Sequence, residues 1–119
     1  MAHRLASKAA LNSEHSQHRL GAVLVKGGRI LATGYNQLRP SKLIGTNTLH
    51  AEAHAVLKLL KSRRQADLVN ADIYVNRFTR GGRLGLARPC FHCMDLLRSV
   101  GIRRVFYTTD EGKTIMEKV

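Results

Sequence analysis

Residues 21–34 read GAVLVKGGRILATG, two short apolar runs separated by a pair of glycines. Runs of this length and composition are typical of strands, and adjacent glycines supply the backbone angles of a tight hairpin turn. The stretch therefore predicts two antiparallel strands joined at Gly27 and Gly28. The fold class then depends on which elements precede and follow this hairpin.

Helices and further strands are predicted on both sides of the hairpin. Before it, apolar residues at helical spacing predict a first helix over residues 2–11. After it, a polar loop leads to a second helix that begins near His50, with Asn47 or Thr48 as its cap. The elements predicted beyond that helix are a strand at 71–78, a helix with Pro89 in its first turn that runs to about Val100 and stops at Gly101, a strand at 103–109 and a last strand at 113–119.

The order of the predicted elements indicates the architecture. Helix, strand, strand, helix, strand, helix, strand, strand is the order expected of a three-layer α/β/α domain built around a mixed five-stranded sheet. The chain has 119 residues, of which 44% are hydrophobic. This is enough for a single domain over residues 1–119 with an ordinary core.

The chain is strongly basic, with 20 Lys and Arg against 8 Asp and Glu and a formal net charge of +12. A field of this sign attracts polyanions, although a generally basic surface without a nucleic-acid partner gives the same count. The first residues lack the long apolar run of a secretory signal, and no stretch is long enough to cross a membrane. We therefore expect a cytoplasmic protein, or one that reaches a nucleus by diffusion, with no membrane partner. A homodimer is left open as its assembly.

Two fragments hold the residues that can bind a metal, HAEAH beginning at His50 and PCFHC beginning at Pro89. Each lies at the predicted start of a helix, and helices that run side by side in one layer would bring these starts together. The imidazole of His50 and the thiolates of Cys90 and Cys93 make a three-ligand zinc site with an open fourth position for water, as in catalytic zinc sites. Glu52 points elsewhere on the same turn and can stand beside that water.

The pattern H-A-E at 50–52 followed by P-C-F-H-C at 89–93 resembles the zinc-dependent cytidine and deoxycytidylate deaminase superfamily, which carries an H-x-E…P-C-x-x-C signature. The resemblance extends over about residues 20–112. It implies the cytidine-deaminase-like fold, a Zn²⁺ cofactor and hydrolytic deamination of a base. The last strand, expected to be antiparallel, looks more like the cytosine-acting branch than the tRNA adenosine branch.

The resemblance also implies roles for individual residues. Zinc would lower the pKa of its bound water, and Glu52 would carry protons from that water to the base and to the departing ammonia. Asn36 belongs to the family's Gly-x-Asn, here Gly34-Tyr35-Asn36, whose asparagine typically contacts the substrate sugar. The Ala51 backbone is expected to position the base. The implied product is uracil from cytosine, or hypoxanthine if the base is adenine.

Other interpretations fit part of the pattern. A redox pair would explain the two cysteines but leaves His50 and Glu52 without a role. A structural zinc would require a fourth protein ligand, for which His54 and His92 are the close candidates; each is also explained as a packing or helix-surface histidine. A non-catalytic zinc protein that binds nucleic acid would have no need of Glu52.

The stretch before the cysteine helix holds four arginines among glycines, Arg77, Arg80, Arg83 and Arg88, and the last three are the predicted substrate-binding residues. Glycines let such a loop come close to a ligand. Together with the net charge, these arginines favour single-stranded nucleic acid as the substrate, held along its backbone with the target base unpaired. Free cytidine or deoxycytidine, deoxycytidylate and a tRNA adenosine are the alternatives, since the phosphate of a mononucleotide also needs an arginine.

Overall fold

Helices and strands follow one another in the predicted order, with one short strand added. The structure is a computed structural model that describes residues 2–15 and 17–119. Within these ranges no helix combines the length and the apolar character that a membrane crossing requires. The elements are α1 (Ala2–Ala10), β1 (Arg19–Lys26), β2 (Arg29–Tyr35), α2 (Ala51–Lys61), a 3₁₀ helix (Gln65–Leu68), β3 (Asp72–Phe78), β4 (Leu84–Gly85), α3 (Phe91–Ser99), β5 (Arg104–Thr108) and β6 (Thr114–Lys118).

The strands form one mixed sheet in the order β2-β1-β3-β5-β6, with β4 paired to β3. β3 and β5 are parallel, and all the other pairs are antiparallel. The predicted mixed five-stranded sheet is therefore confirmed as the continuous path, and the last strand is antiparallel as expected. The sequence did not predict β4 because a strand of two residues has no periodic pattern.

The β1–β2 hairpin turns at the glycine pair. Gly27 and Gly28 have φ angles of 57° and 78°, in the left-handed region that favours glycine. Lys26 pairs with Arg29 across the turn, and a register shift follows between Leu24 and Val25. The hairpin therefore forms as the sequence predicts.

Two other glycines let helices pack closely on the hairpin. A Cβ atom on Gly21 would collide with the backbone of Ala6 in α1, and one on Gly34 would lie 2.6 Å from the backbone nitrogen of Ala55 in α2. Gly21 pairs with Tyr35, one residue beyond Gly34, so the two glycines face opposite sides of the sheet. α1 and α2 thus lie on opposite faces, and the predicted three-layer arrangement is confirmed.

The main core lies between the sheet and the layer formed by α2 and α3. It is one contiguous cluster, to which β1, β3 and β5 contribute the residues that face these two helices. The large side chains in this cluster that are at most 2% exposed are Leu24, Leu49, Val56, Leu59, Leu68, Ile73, Val75, Leu97 and Val105. This packing fixes where α2 and α3 begin relative to each other.

Both helix starts differ in detail from the prediction. His50, rather than Asn47 or Thr48, is the N-cap of α2, because Leu49 is held in an extended bridge to Gln37 with hydrogen bonds of 2.8 and 3.0 Å. The prediction of a capping residue ahead of Leu49 was therefore wrong.

The cysteine helix also starts later than predicted. Cys90 is the N-cap of α3, so Pro89 precedes the helix instead of lying in its first turn. The helix ends at Ser99, and Gly101 follows with a φ angle of 91°, which confirms the predicted stop.

Candidate active site

The starts of α2 and α3 bring three metal-binding side chains together. Nδ1 of His50 lies 3.3 Å from Sγ of Cys93 and 3.5 Å from Sγ of Cys90. All three donor atoms lie within 4.8 Å of one another. One nitrogen and two sulfurs are a donor set that zinc prefers, and three protein donors leave a fourth tetrahedral position open. The predicted convergence of His50, Cys90 and Cys93 is confirmed.

Two of these donors come from N-cap residues. His50 caps α2 and Cys90 caps α3, and neither side chain makes a capping hydrogen bond. Their side chains are therefore free to hold a metal, while the positive ends of two helix dipoles point toward the same region. Burial, followed by the neighbouring His92, lowers the pKa of His50, which favours the neutral imidazole that a metal requires.

Cys93 is fully buried, and this burial governs the state of its thiol. Burial raises the pKa of Cys93 well above its usual range, and the neighbouring Glu52 and Cys90 raise it further. In the metal-free protein the thiol is therefore protonated near neutral pH. A metal that binds Cys93 must therefore displace this proton.

Glu52 lies beside this cluster in the first turn of α2 and is 3% exposed. Burial raises the pKa of its carboxyl group to about 7, while hydrogen bonds to a backbone amide and to the Cys93 thiol act in the opposite direction. A carboxyl group with this pKa can take up and release a proton near neutral pH.

A cavity of about 280 Å³ opens beside the metal-binding cluster. Its wall includes His50, Cys90 and the buried side chains of Glu52 and Asn36. The cavity therefore joins the candidate metal donors, a carboxyl group and an amide in one space, as a ligand pocket requires.

Asn36 ties together the strand ends that border the cavity. Its Oδ1 accepts a hydrogen bond of 2.9 Å from the backbone N–H of Leu20, and its Nδ2 donates one of 2.6 Å to the carbonyl of His18. One amide hydrogen and one oxygen lone pair remain available. Ala51 is fully buried in the first turn of α2, next to Glu52.

The predicted substrate-binding arginines separate into two groups. Arg88 lines the cavity. Arg80 and Arg83 are exposed in the turn between β3 and β4, which the Thr79 N–H closes by donating to the carbonyl of Arg83 at 2.8 Å, and neither lines the cavity.

Arg77 also lines the cavity. It belongs to the last part of β3 and pairs with Leu20 at the start of β1. Its place before the cysteine helix puts it in the predicted arginine-rich stretch, although it is not among the three predicted substrate-binding arginines.

The two further histidines lie outside the candidate ligand set. Nδ1 of His54 accepts a hydrogen bond of 3.1 Å from the backbone N–H of Tyr35, and the two rings pack edge to face. His92 is exposed and packs against Phe91. Across residues 2–15 and 17–119, no fourth His, Cys, Asp or Glu joins the cluster, so the structural-zinc alternative lacks its fourth ligand.

Comparison with known proteins also identifies a zinc-binding region in this chain. The family model described as the cytidine and deoxycytidylate deaminase zinc-binding region matches residues 1–109. The chain belongs to this family. Its members are hydrolytic zinc-dependent deaminases, and this chain retains the three donors that such a site needs.

This deaminase is similar both to proteins named deoxycytidylate deaminase and to a protein named tRNA-specific adenosine deaminase. A deoxycytidylate deaminase of Mycobacterium phage D29 is 30% identical over an alignment of 127 positions that covers 87% of this chain and 88% of that protein. A tRNA-specific adenosine deaminase of Agrobacterium fabrum is 29% identical over 100 residues, which cover 84% of this chain and 57% of that protein.

Solved structures show the same fold. Cytidine deaminase from Burkholderia pseudomallei superposes with a TM-score of 0.74 at 22% identity, over 98% of this chain and 89% of that one. The dCMP deaminase from the cyanophage S-TIM5 gives 0.66 at 24% identity, over 92% and 80% of the two chains. Because these identities are below 25%, the likeness establishes the fold but not the substrate, which must be inferred from the residues of the site.

Proposed function

We propose that this deaminase converts deoxycytidylate, a free cytosine nucleotide, to deoxyuridylate. The observation that carries the proposal is the cavity of about 280 Å³, which has Glu52 in its buried wall and the half-buried Arg77 in the same wall. A space at the small end of ligand pockets suits a single nucleotide, and an arginine suits its phosphate. Two relatives named deoxycytidylate deaminase support the same substrate class.

In the proposed mechanism, Glu52 moves the protons. Its carboxylate takes a proton from the attacking water and delivers it to the ring nitrogen N3 of cytosine. The second proton of that water passes by way of Glu52 to the amino group, which leaves as ammonia, and the water oxygen becomes the new carbonyl oxygen of uracil. In the metal-free protein, burial raises the pKa of Glu52 to about 7, and this high proton affinity supports its proposed role as the group that accepts the proton.

The other residues of the site hold the metal and the substrate. Zinc bound by His50, Cys90 and Cys93 would supply Lewis acidity at the open fourth position. The free amide hydrogen and lone pair of Asn36 are proposed to bind the sugar, and the backbone of Ala51 to orient the base. The burial of Asn36 and Ala51 supports these roles because it limits their movement.

A substrate panel tests the proposal. Zinc-loaded protein is incubated with deoxycytidylate, deoxycytidine, a single-stranded oligodeoxynucleotide and adenosine in a tRNA stem-loop, and the deaminated base is quantified. We expect deoxycytidylate to give the highest kcat/KM. A higher value for the oligonucleotide, or inosine as the main product, would reject the proposal.

Single-stranded nucleic acid is the second candidate substrate, and a specific feature favours it. Arg80 and Arg83 are exposed in the β3–β4 turn, directly after the strand that carries Arg77, and the chain has a formal net charge of +12. A strand whose target base entered the cavity could extend its backbone toward these side chains. The oligonucleotide in the panel decides between the two candidates.

A further inference from the structure

The cavity wall contains two arginines in different electrostatic states. Nε and Nη2 of Arg88 donate hydrogen bonds of 2.8 and 3.2 Å to the two carboxylate oxygens of Glu117 in β6. The hydroxyl of Tyr107 donates a third, of 2.6 Å, to the same carboxylate. These contacts raise the pKa of Arg88 and lower that of Glu117. The charge of Arg88 is therefore already compensated within the protein.

Arg77 has no such compensation. No carboxylate among residues 2–15 and 17–119 forms a salt bridge with it. One terminal nitrogen lies 3.4 Å from the carbonyl oxygen of Leu86, and the other contacts Nδ1 of His18. Its Nε is buried and has no hydrogen-bond partner in the described protein. A half-buried cation held on two sides by neutral groups is ready to bind an anion.

His18 adds a second donor beside Arg77. Because its Nδ1 faces a guanidinium, which can only donate, this nitrogen is the acceptor and Nε2 carries the proton. Burial, Arg77 and His15 lower the pKa of His18, which favours this neutral form. The backbone N–H of His18 donates to Nδ1 of His15 at 3.1 Å, and this bond helps to fix the residue at the cavity wall.

We propose that Arg77 and His18 form the subsite that binds the terminal phosphate of the nucleotide, and that Arg88 does not. This inference rests on the proposed function. A phosphate monoester offers several acceptor oxygens and a charge close to −2, which match the planar donors of Arg77 and the Nε2–H of His18. In Arg88 the donor fork of Nε and Nη2 is already taken by Glu117, so its compensated charge attracts a phosphate less strongly than that of Arg77.

The test compares kcat/KM for deoxycytidylate with kcat/KM for deoxycytidine, which lacks the phosphate. Removing a charged hydrogen bond to the phosphate in Arg77→Ala should lower the ratio of the two values by roughly 10- to 100-fold, mainly through KM for deoxycytidylate. His18→Ala should lower it by a few fold. Arg77→Lys should restore part of the ratio, since it keeps the charge and loses the fork of donors.

Arg29→Ala is the matched control. It removes the same charge from an exposed arginine at the hairpin end of β2, away from the cavity, and its ratio should equal that of the wild type. The inference would be overturned if the ratio of kcat/KM for deoxycytidylate to kcat/KM for deoxycytidine were the same in Arg29→Ala and Arg77→Ala. It would also be overturned if Arg77→Ala lowered kcat/KM for both substrates by the same factor. Wild-type protein that deaminates neither substrate would instead reject the proposed function.

Discussion

Glu52 is the residue at which metal binding and chemistry can be separated. Its carboxyl group lies in the cavity wall beside His50 and is not one of the three converging donors. We expect Glu52→Gln to retain one zinc per chain and to lower kcat by about 10²-fold or more, the usual scale for a positioned acid–base group. Elemental analysis and steady-state kinetics measure the two quantities. Loss of zinc would make Glu52 a ligand, and near wild-type turnover would move the proton transfer to another group.

The two cysteines differ in burial, and this difference predicts different consequences. Cys93 is fully buried and Cys90 is exposed. Replacing either with Ala should remove zinc, because each supplies one of the three donors that converge within the described part of the chain. In the presence of a chelator, Cys93→Ala should also lower the free energy of unfolding by about 1 kcal/mol, whereas Cys90→Ala should change it little. Equal metal-free stabilities would contradict this assignment, and chemical denaturation measures them.

At the scale of elements, the position of α2 depends on a residue that has no side chain. A Cβ atom on Gly34 would lie 2.6 Å from the backbone nitrogen of Ala55, so Gly34→Ala must push the helix away from β2 and shift His50. We expect a loss of about 1–3 kcal/mol in the free energy of unfolding and weaker zinc binding, measured by denaturation and by competition with a chelator.

Gly81→Ala is the control for this change. Nothing lies within 4 Å of a Cβ atom on Gly81, so the free energy of unfolding should change by less than about 0.5 kcal/mol. If the two variants had the same stability and zinc affinity, close packing of α2 on β2 would not be what places His50.

The elements also show which features sequence alone could predict. The hairpin and the converging donors are each written in a few consecutive residues, so local patterns were sufficient. The proposed role of Arg77 depends on contact with His18, 59 positions earlier in the chain, and the start of α2 depends on the bridge between Gln37 and Leu49. Contacts between residues far apart in the chain leave no local pattern, which is why neither the pairing of Arg77 with His18 nor the start of α2 was predicted.

At the scale of the whole molecule, the formal charge of +12 predicts binding that is separate from catalysis. Single-stranded DNA should bind at low salt, with an affinity that falls steeply as salt rises. The double variant Arg80→Ala, Arg83→Ala should make the slope of log affinity against log salt shallower by about 1.4, since each lost phosphate contact with a single strand accounts for about 0.7. Fluorescence anisotropy over a salt series measures this slope. An unchanged slope would exclude both side chains from the contact.

The last strand has a further consequence. β6 lies at the edge of the sheet, next to β5, and exposes four of its five residues. Edge strands of this kind open locally at a small fraction of the free energy of global unfolding, and their amides exchange early with deuterated solvent. Each such opening takes Glu117 away from Arg88 and adds one uncompensated positive charge to the cavity wall. Amide exchange in β6 therefore reports how often the pocket carries this extra charge.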